Sequence, residues 1–172
     1  ARAGLVRTFQ TARALARMPD LCVELLMPPL MEKVTKLAPN VTIDVVPWRG
    51  PAIFTAEFAR TIDLVISIGN AFTGFHRQRL YVDSDALAVR RGHPAGARLK
   101  RLETFLDARH VGVVIRGQSE DLIDMWLRPK GIERRIALVV SGYIEALHVT
   151  ARTDLVAFVP RRLIGALSKQ LR

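Results

Sequence analysis

Three short runs of consecutive apolar residues constrain this chain most: Leu64-Val65-Ile66 with Ile68, Val111 to Ile115, and Leu155 to Val159. Each is too short for a helix and lacks the apolar–polar alternation of a strand with one wet face. Each is bounded by turn or capping residues, and amphipathic segments lie between them. Continuous apolar strands alternating with helices predict a mainly parallel sheet covered on both faces.

The longest amphipathic segment is residues 21–38. Leu21, Leu25, Leu26, Leu30 and Val34 keep a helical period, with Glu24, Glu32, Lys33 and Lys36 opposite them. Asp20 is the expected N-cap. Pro28-Pro29 predicts a kink or a restart, and Pro39-Asn40 ends the helix. Residues 41–46 read as a strand, Trp48 to Pro51 as a turn and residues 52–60 as a short helix. The second half reads as strands at 80–90, 110–115, 134–139 and 154–159. Helices are expected at 101–107, 119–127, 143–150 and 161–171. The expected division is an N-terminal segment at 1–19, read as a linker end or irregular chain, a first lobe at 20–82 and a second at 83–172.

Composition narrows the class without naming a function. Of 172 residues, 49% are apolar and 24% charged, the profile of a globular chain and not of a disordered one. No apolar run reaches the length of about 18 needed to span a bilayer, and the N-terminus lacks the core of a secretory signal. Cys22 is the only cysteine, so no internal disulfide forms. It reads as a small buried residue in a reducing compartment. The net charge of +10 fits nucleic acid, anionic ligands or merely a basic surface. The pairs Arg90-Arg91, Arg134-Arg135 and Arg161-Arg162 fall on separate elements, and no single helix gathers them into a base-reading face, so a solvated surface is expected.

Four stretches, in order, resemble the effector-binding domain of the LysR-type transcriptional regulators. They are LLMPPLMEKVTKLAPNVTIDVV (25–46), DLVISIG (63–69), LYVDSDALAVRRGHPAG (80–96) and ALHVTARTDLVAFVPRRL (146–163). The resemblance covers roughly residues 20 to 168. It implies an α/β fold of the type 2 periplasmic-binding-protein kind, two lobes with a ligand cleft between them. It also implies a bacterial cytoplasmic sensor that works as a homodimer or homotetramer and reaches DNA through an N-terminal winged helix-turn-helix absent from these residues. Family chains return to the first lobe beyond the equivalent of Arg172, so an incomplete first lobe is expected.

In such folds ligands sit beyond the carboxyl ends of the strands, and three connections fall there. Arg116-Gly117-Gln118-Ser119 follows a strand and opens a helix. It offers main-chain N–H groups, a guanidinium and a hydroxyl to an anion, or else Ser119 simply caps the helix with Glu120 and Asp121 in its first turn. Ser141 and Tyr143 begin the next helix: Ser141 caps or binds, and Tyr143 stacks on a ring or packs. Gly69-Asn70 ends a first-lobe strand, where Gly69 permits either close approach of a ligand or only the turn. Trp48-Arg49 either clamps an aromatic acid or forms a surface turn. Phe158 is expected in the core and His93 in a turn.

The four histidines lack metal-ligand spacing, so no metal is expected. There is no G-x-G-x-x-G or Walker sequence, so no nucleotide cofactor is expected. Gly117 to Asp121 lacks the second glycine of a nucleophile elbow and no His–acid pair follows, which argues against an enzyme such as a dehydratase or deaminase. The functional expectation is an effector-sensing domain for a small anionic or aromatic metabolite. The alternative is a solute-binding receptor of the same fold.

Overall fold

The computed structural model describes residues 12–47, 60–67, 75–115 and 119–168. These fall into two compact units, residues 12–47 with 60–67, and residues 75–115 with 119–168. The turn at Trp48-Arg49 and nearly all of the helix expected at 52–60 lie outside the described residues.

The first unit is a parallel sheet with a helix. Strand β1 (Ala12–Met18) is central, between β2 (Val41–Pro47) and β3 (Leu64–Val65). Its register on β2 runs from Ala12 opposite Val41 to Met18 opposite Pro47. Residues 1–11 of the segment expected to be linker or irregular lie outside the described residues, and its residues 12–18 are therefore the middle strand of a sheet. The reason is in its pattern: Ala16 and Met18 turn inward and are buried, while Arg13 pairs with Asp44 of β2 on the exposed side. Asp63 fixes β3, since its N–H donates to the Leu15 carbonyl at 3.0 Å and its carboxylate accepts the Leu15 N–H at 2.7 Å. Helix α1 (Asp20–Leu37) buries Leu21 and Cys22 beside Met18 in the core. Pro19, not Asp20, holds the N-cap position, and the helix does not restart at Pro28-Pro29. Both prolines are exposed, so their rings meet solvent instead of a neighbouring element.

The second unit has strand order β4-β7-β5-β6. Strand β4 spans Asp85–Ala88, β5 Arg109–Val113, β6 Arg135–Val140 and β7 Val156–Pro160. Helix α2 spans Leu102–Asp107, α3 Leu122–Leu127, α4 Tyr143–Arg152 and α5 Arg161–Leu167, with 3-10 turns at Gly96–Lys100 and Arg128–Lys130. Strand β5 runs parallel to β6 and β7. Strand β4 departs from the parallel expectation by pairing antiparallel with β7, Asp85 opposite Pro160. It is also shorter than the strand expected at 80–90. The core lies along β5 and β7, buried on both faces of β7, with Val111, Val113, Val156, Ala157 and Val159 beside Ala146, Leu147 and Leu163. Burying each such branched side chain contributes roughly 1.5–3 kcal/mol.

His93 is a turn residue, as its Gly-His-Pro setting suggests. Its Nδ1 accepts N–H bonds from Ala95 at 3.1 Å and Gly96 at 3.3 Å, which leaves the proton on Nε2 to reach the Asp154 carbonyl at 3.1 Å. Arg90 donates to the Asp154 carboxylate at 2.7 Å. The turn after β4 is thereby fastened to the turn before β7.

Candidate functional site

Because β5, β6 and β7 are parallel, their carboxyl ends share one edge of the second sheet, and antiparallel β4 begins on that edge. The Val114 N–H donates to the Val140 carbonyl at 2.9 Å, so the connections leaving β5 and β6 start as neighbours. Ser119, Ser141 and Tyr143 all lie on connections at this edge. Ser119 and Ser141 are exposed, whereas Tyr143 is only 8% exposed and packs into the unit. Gly69, Asn70, Arg116, Gly117 and Gln118 lie outside the described residues.

Neither serine is a helix cap. Gly142 stands at the N-cap of α4 without a side-chain bond. At α3 the cap is Asp121, whose Oδ1 accepts the Ile123 N–H at 2.8 Å, and the helix begins at Leu122. An aspartate out-competes a serine here because its second oxygen is also used: Oδ2 accepts the Val113 N–H at 2.8 Å.

Beneath this cap lies a charge cluster that the sequence pattern placed at the surface. Arg134 was expected to be solvated with Arg135, yet its side chain is 0% exposed, while Arg135 is exposed. Arg134 Nε donates to Asp124 Oδ1 at 2.7 Å and Nη2 pairs with Asp121 Oδ2 at 2.9 Å. Burial opposes the guanidinium charge, but the hydrogen bond to Asp124 and the charges of Asp121 and Asp124 outweigh it and hold Arg134 above its ordinary pKa. The available signal was the Asp121/Asp124 spacing of one helical turn, which puts two carboxylates on one face.

His110 is fully buried on β5 and its Nε2 donates to the Phe105 carbonyl at 2.8 Å. Burial pushes its pKa down, against the Phe105 hydrogen bond, and the Arg134 charge adds to the lowering. The ring packs edge-on to buried Phe105, which meets Phe158 edge-on in turn; Phe158, expected in the core, is half-buried.

The corner of the same edge where β4 meets β7 holds a shallow, open depression lined by Val82, Asp83, Ser84, Arg161 and Arg162. The Arg161 N–H donates to the Ser84 carbonyl at 2.9 Å and the Arg162 N–H to Asp83 Oδ2 at 3.1 Å. The Arg162 guanidinium sits 5.0 Å from the Tyr81 ring. Asp85 lies at this corner with its carboxyl above the usual range, first through desolvation and then through the charges of Asp83 and Asp121. At this corner Ser84, Arg161 and Arg162 are exposed, and Asp83 is engaged by the Ser84 and Arg162 N–H groups. Among the described residues no group of three His, Cys, Asp or Glu is placed to hold a metal, and no helix is long and apolar enough to cross a membrane.

Residues 17–172 match the family described as LysR substrate binding domain. The HTH-type transcriptional activator NahR of Pseudomonas putida is 33% identical over 158 residues, which cover 91% of this chain and 51% of NahR. The chain spans about half the length of the curated relatives it matches. Among solved structures, a probable transcriptional regulator from Pseudomonas aeruginosa superposes with a TM-score of 0.80 at 23% identity, over 94% of this chain and 55% of that one. The regulatory domain of MexT, a transcriptional activator in the same organism, gives 0.73 at 20% identity, over 92% and 79%. Both likenesses are of fold.

Proposed function

The chain belongs to the LysR substrate-binding domain family, and from that premise we propose that it senses a small anionic or aromatic metabolite and relays its binding to a DNA-binding domain of a longer, cytoplasmic regulator. The family is one of transcriptional regulators, not enzymes. The observation that supports the ligand reading is that the carboxyl ends of parallel β5, β6 and β7 share one edge of the second sheet, with the connections after β5 and β6 starting side by side; the depression at the β4–β7 corner is lined by none of the proposed contacts. Arg116, Gly117, Gln118 and Ser119 after β5, and Ser141 and Tyr143 after β6, are the proposed contacts, with Gly69 and Asn70 contributed from the chain before residue 75. Relay to DNA rests on NahR, whose name describes an HTH-type activator about twice as long as the segment it shares with this chain. Binding that favours one arrangement of the regulator over another shifts that equilibrium by its differential affinity.

A second copy of this chain is the proposed partner. Strand β6 is an edge strand, and its own Ile136, Leu138 and Val139 are exposed, Val139 to 57%. An open strand edge flanked by apolar side chains invites pairing.

Isothermal titration against a panel of aromatic and aliphatic carboxylates tests the ligand reading. At least one should bind, and Arg116→Ala should weaken it by about tenfold, the loss of one charge-assisted hydrogen bond. Unchanged affinity in that variant removes Arg116 from the site.

A further inference from the structure

The buried Arg134 cluster has a geometry that core packing alone does not require. A single carboxylate, Asp121, 7% exposed, takes the N–H of Val113 at the end of β5 and the N–H of Ile123 in the first turn of α3. It therefore grips both stems of the connection between them. Arg134, arriving just ahead of β6, grips that carboxylate at 2.9 Å and braces itself on Asp124 at 2.7 Å. Its Nη1 and Nη2 are both buried without a hydrogen bond among the described residues, so the 2.9 Å contact with Asp121 is an ion pair and not a hydrogen bond. Apolar residues of similar volume fill such a space at equal or greater stability, so a buried charge with an unused donor points to placement. A carboxylate engaged on both oxygens has one orientation, and so do the two stems it joins.

We propose that Arg134 is a positioning residue for effector binding: through Asp121 it sets the stems of the β5–α3 connection, which carries Arg116 and Ser119. This rests on the reading that the connection meets the effector. The Arg134 side chain is fully buried, so its action on the connection runs through Asp121. It links the entry of β6 to the exit of β5, so a change at either strand reaches the same connection.

The test uses Arg134→Met with Asp124→Leu, which removes Arg134 and its brace but keeps Asp121 as acceptor of the Val113 and Ile123 N–H groups, so a change at those amides reports on Arg134. Arg134→Lys, which keeps a charge beside the carboxylates but not the planar fork, is the second variant should the first not fold. Hydrogen exchange of the Val113 and Ile123 amides should speed up by about tenfold or more in the variant that folds. Its affinity for the carboxylate that binds the wild type best should fall by about tenfold. Unchanged exchange overturns the proposal. So does faster exchange with unchanged affinity. If no carboxylate binds the wild type, or Arg116→Ala leaves the best binder unaffected, the reading of the site fails and the binding half of the proposal with it. Exchange then still decides whether Arg134 holds the connection.

Discussion

Asp121 accepts the main-chain N–H of Val113 at 2.8 Å, so the residue that caps α3 also closes the last rung of β5. Replacing it with alanine removes the cap, leaves a buried N–H without an acceptor and takes a counter-charge from Arg134. Breaking a buried pair from one side costs about 3–5 kcal/mol. Urea unfolding of Asp121→Ala should show a loss of that order, and a loss comparable to that of an exposed cap, about 1 kcal/mol, would mean that Arg134 finds another partner.

Stability should depend on pH through His110. Its pKa is lowered in the fold, so below the ordinary histidine value of about 6.5 the unfolded chain binds a proton that the folded one refuses. The contribution is complete above about pH 6.5 and is lost as pH falls, with a slope of up to about 1.4 kcal/mol per pH unit until the folded group itself titrates. Urea midpoints between pH 5 and 7.5 should fall more steeply with acid in the wild type than in His110→Gln. Parallel curves would remove His110 as the cause.

The His93 turn gives a smaller expectation. His93→Ala deletes one donor and one twice-used acceptor at 3.1–3.3 Å, each bond worth about 1 kcal/mol. Chemical unfolding should show a loss of about 1–3 kcal/mol. His93→Asn, which keeps an acceptor near the Ala95 and Gly96 amides, should recover part of it.

Self-association through β6 predicts that Val139→Lys, a charge placed on a 57% exposed apolar position, shifts the chain toward monomer in sedimentation velocity without lowering its thermal midpoint. A variant that sediments like the wild type would move the interface elsewhere.

Much of the fold was legible from local pattern. The apolar runs at 111–113 and 156–159 are strands, and the amphipathic segments from 20, 143 and 161 are helices, because burial on two faces and burial on one stripe leave different periods in the sequence. The four motif stretches carried the family. The N-terminal strand was not legible, since Arg13 and Arg17 inside ARALARM read as a basic linker until the register with β2 sets Arg13 beside Asp44. Nor were the caps of α3 and α4: serines precede both helices, but whether a serine caps depends on which acceptor already reaches the first-turn amides.

The sequence by itself determined the class of fold, the placement of most elements and the connections at which a ligand is expected, because each follows from residues close together in the chain. Only the tertiary structure decided that β4 turns antiparallel, that Tyr143 packs inward and that Arg134 lies buried between Asp121 and Asp124. Arg134 and Arg135 are neighbours of identical charge and composition. What separates a buried guanidinium from a solvated one is a pair of carboxylates delivered ten and thirteen residues away by a different element, and that juxtaposition exists only once β5, α3 and β6 have packed.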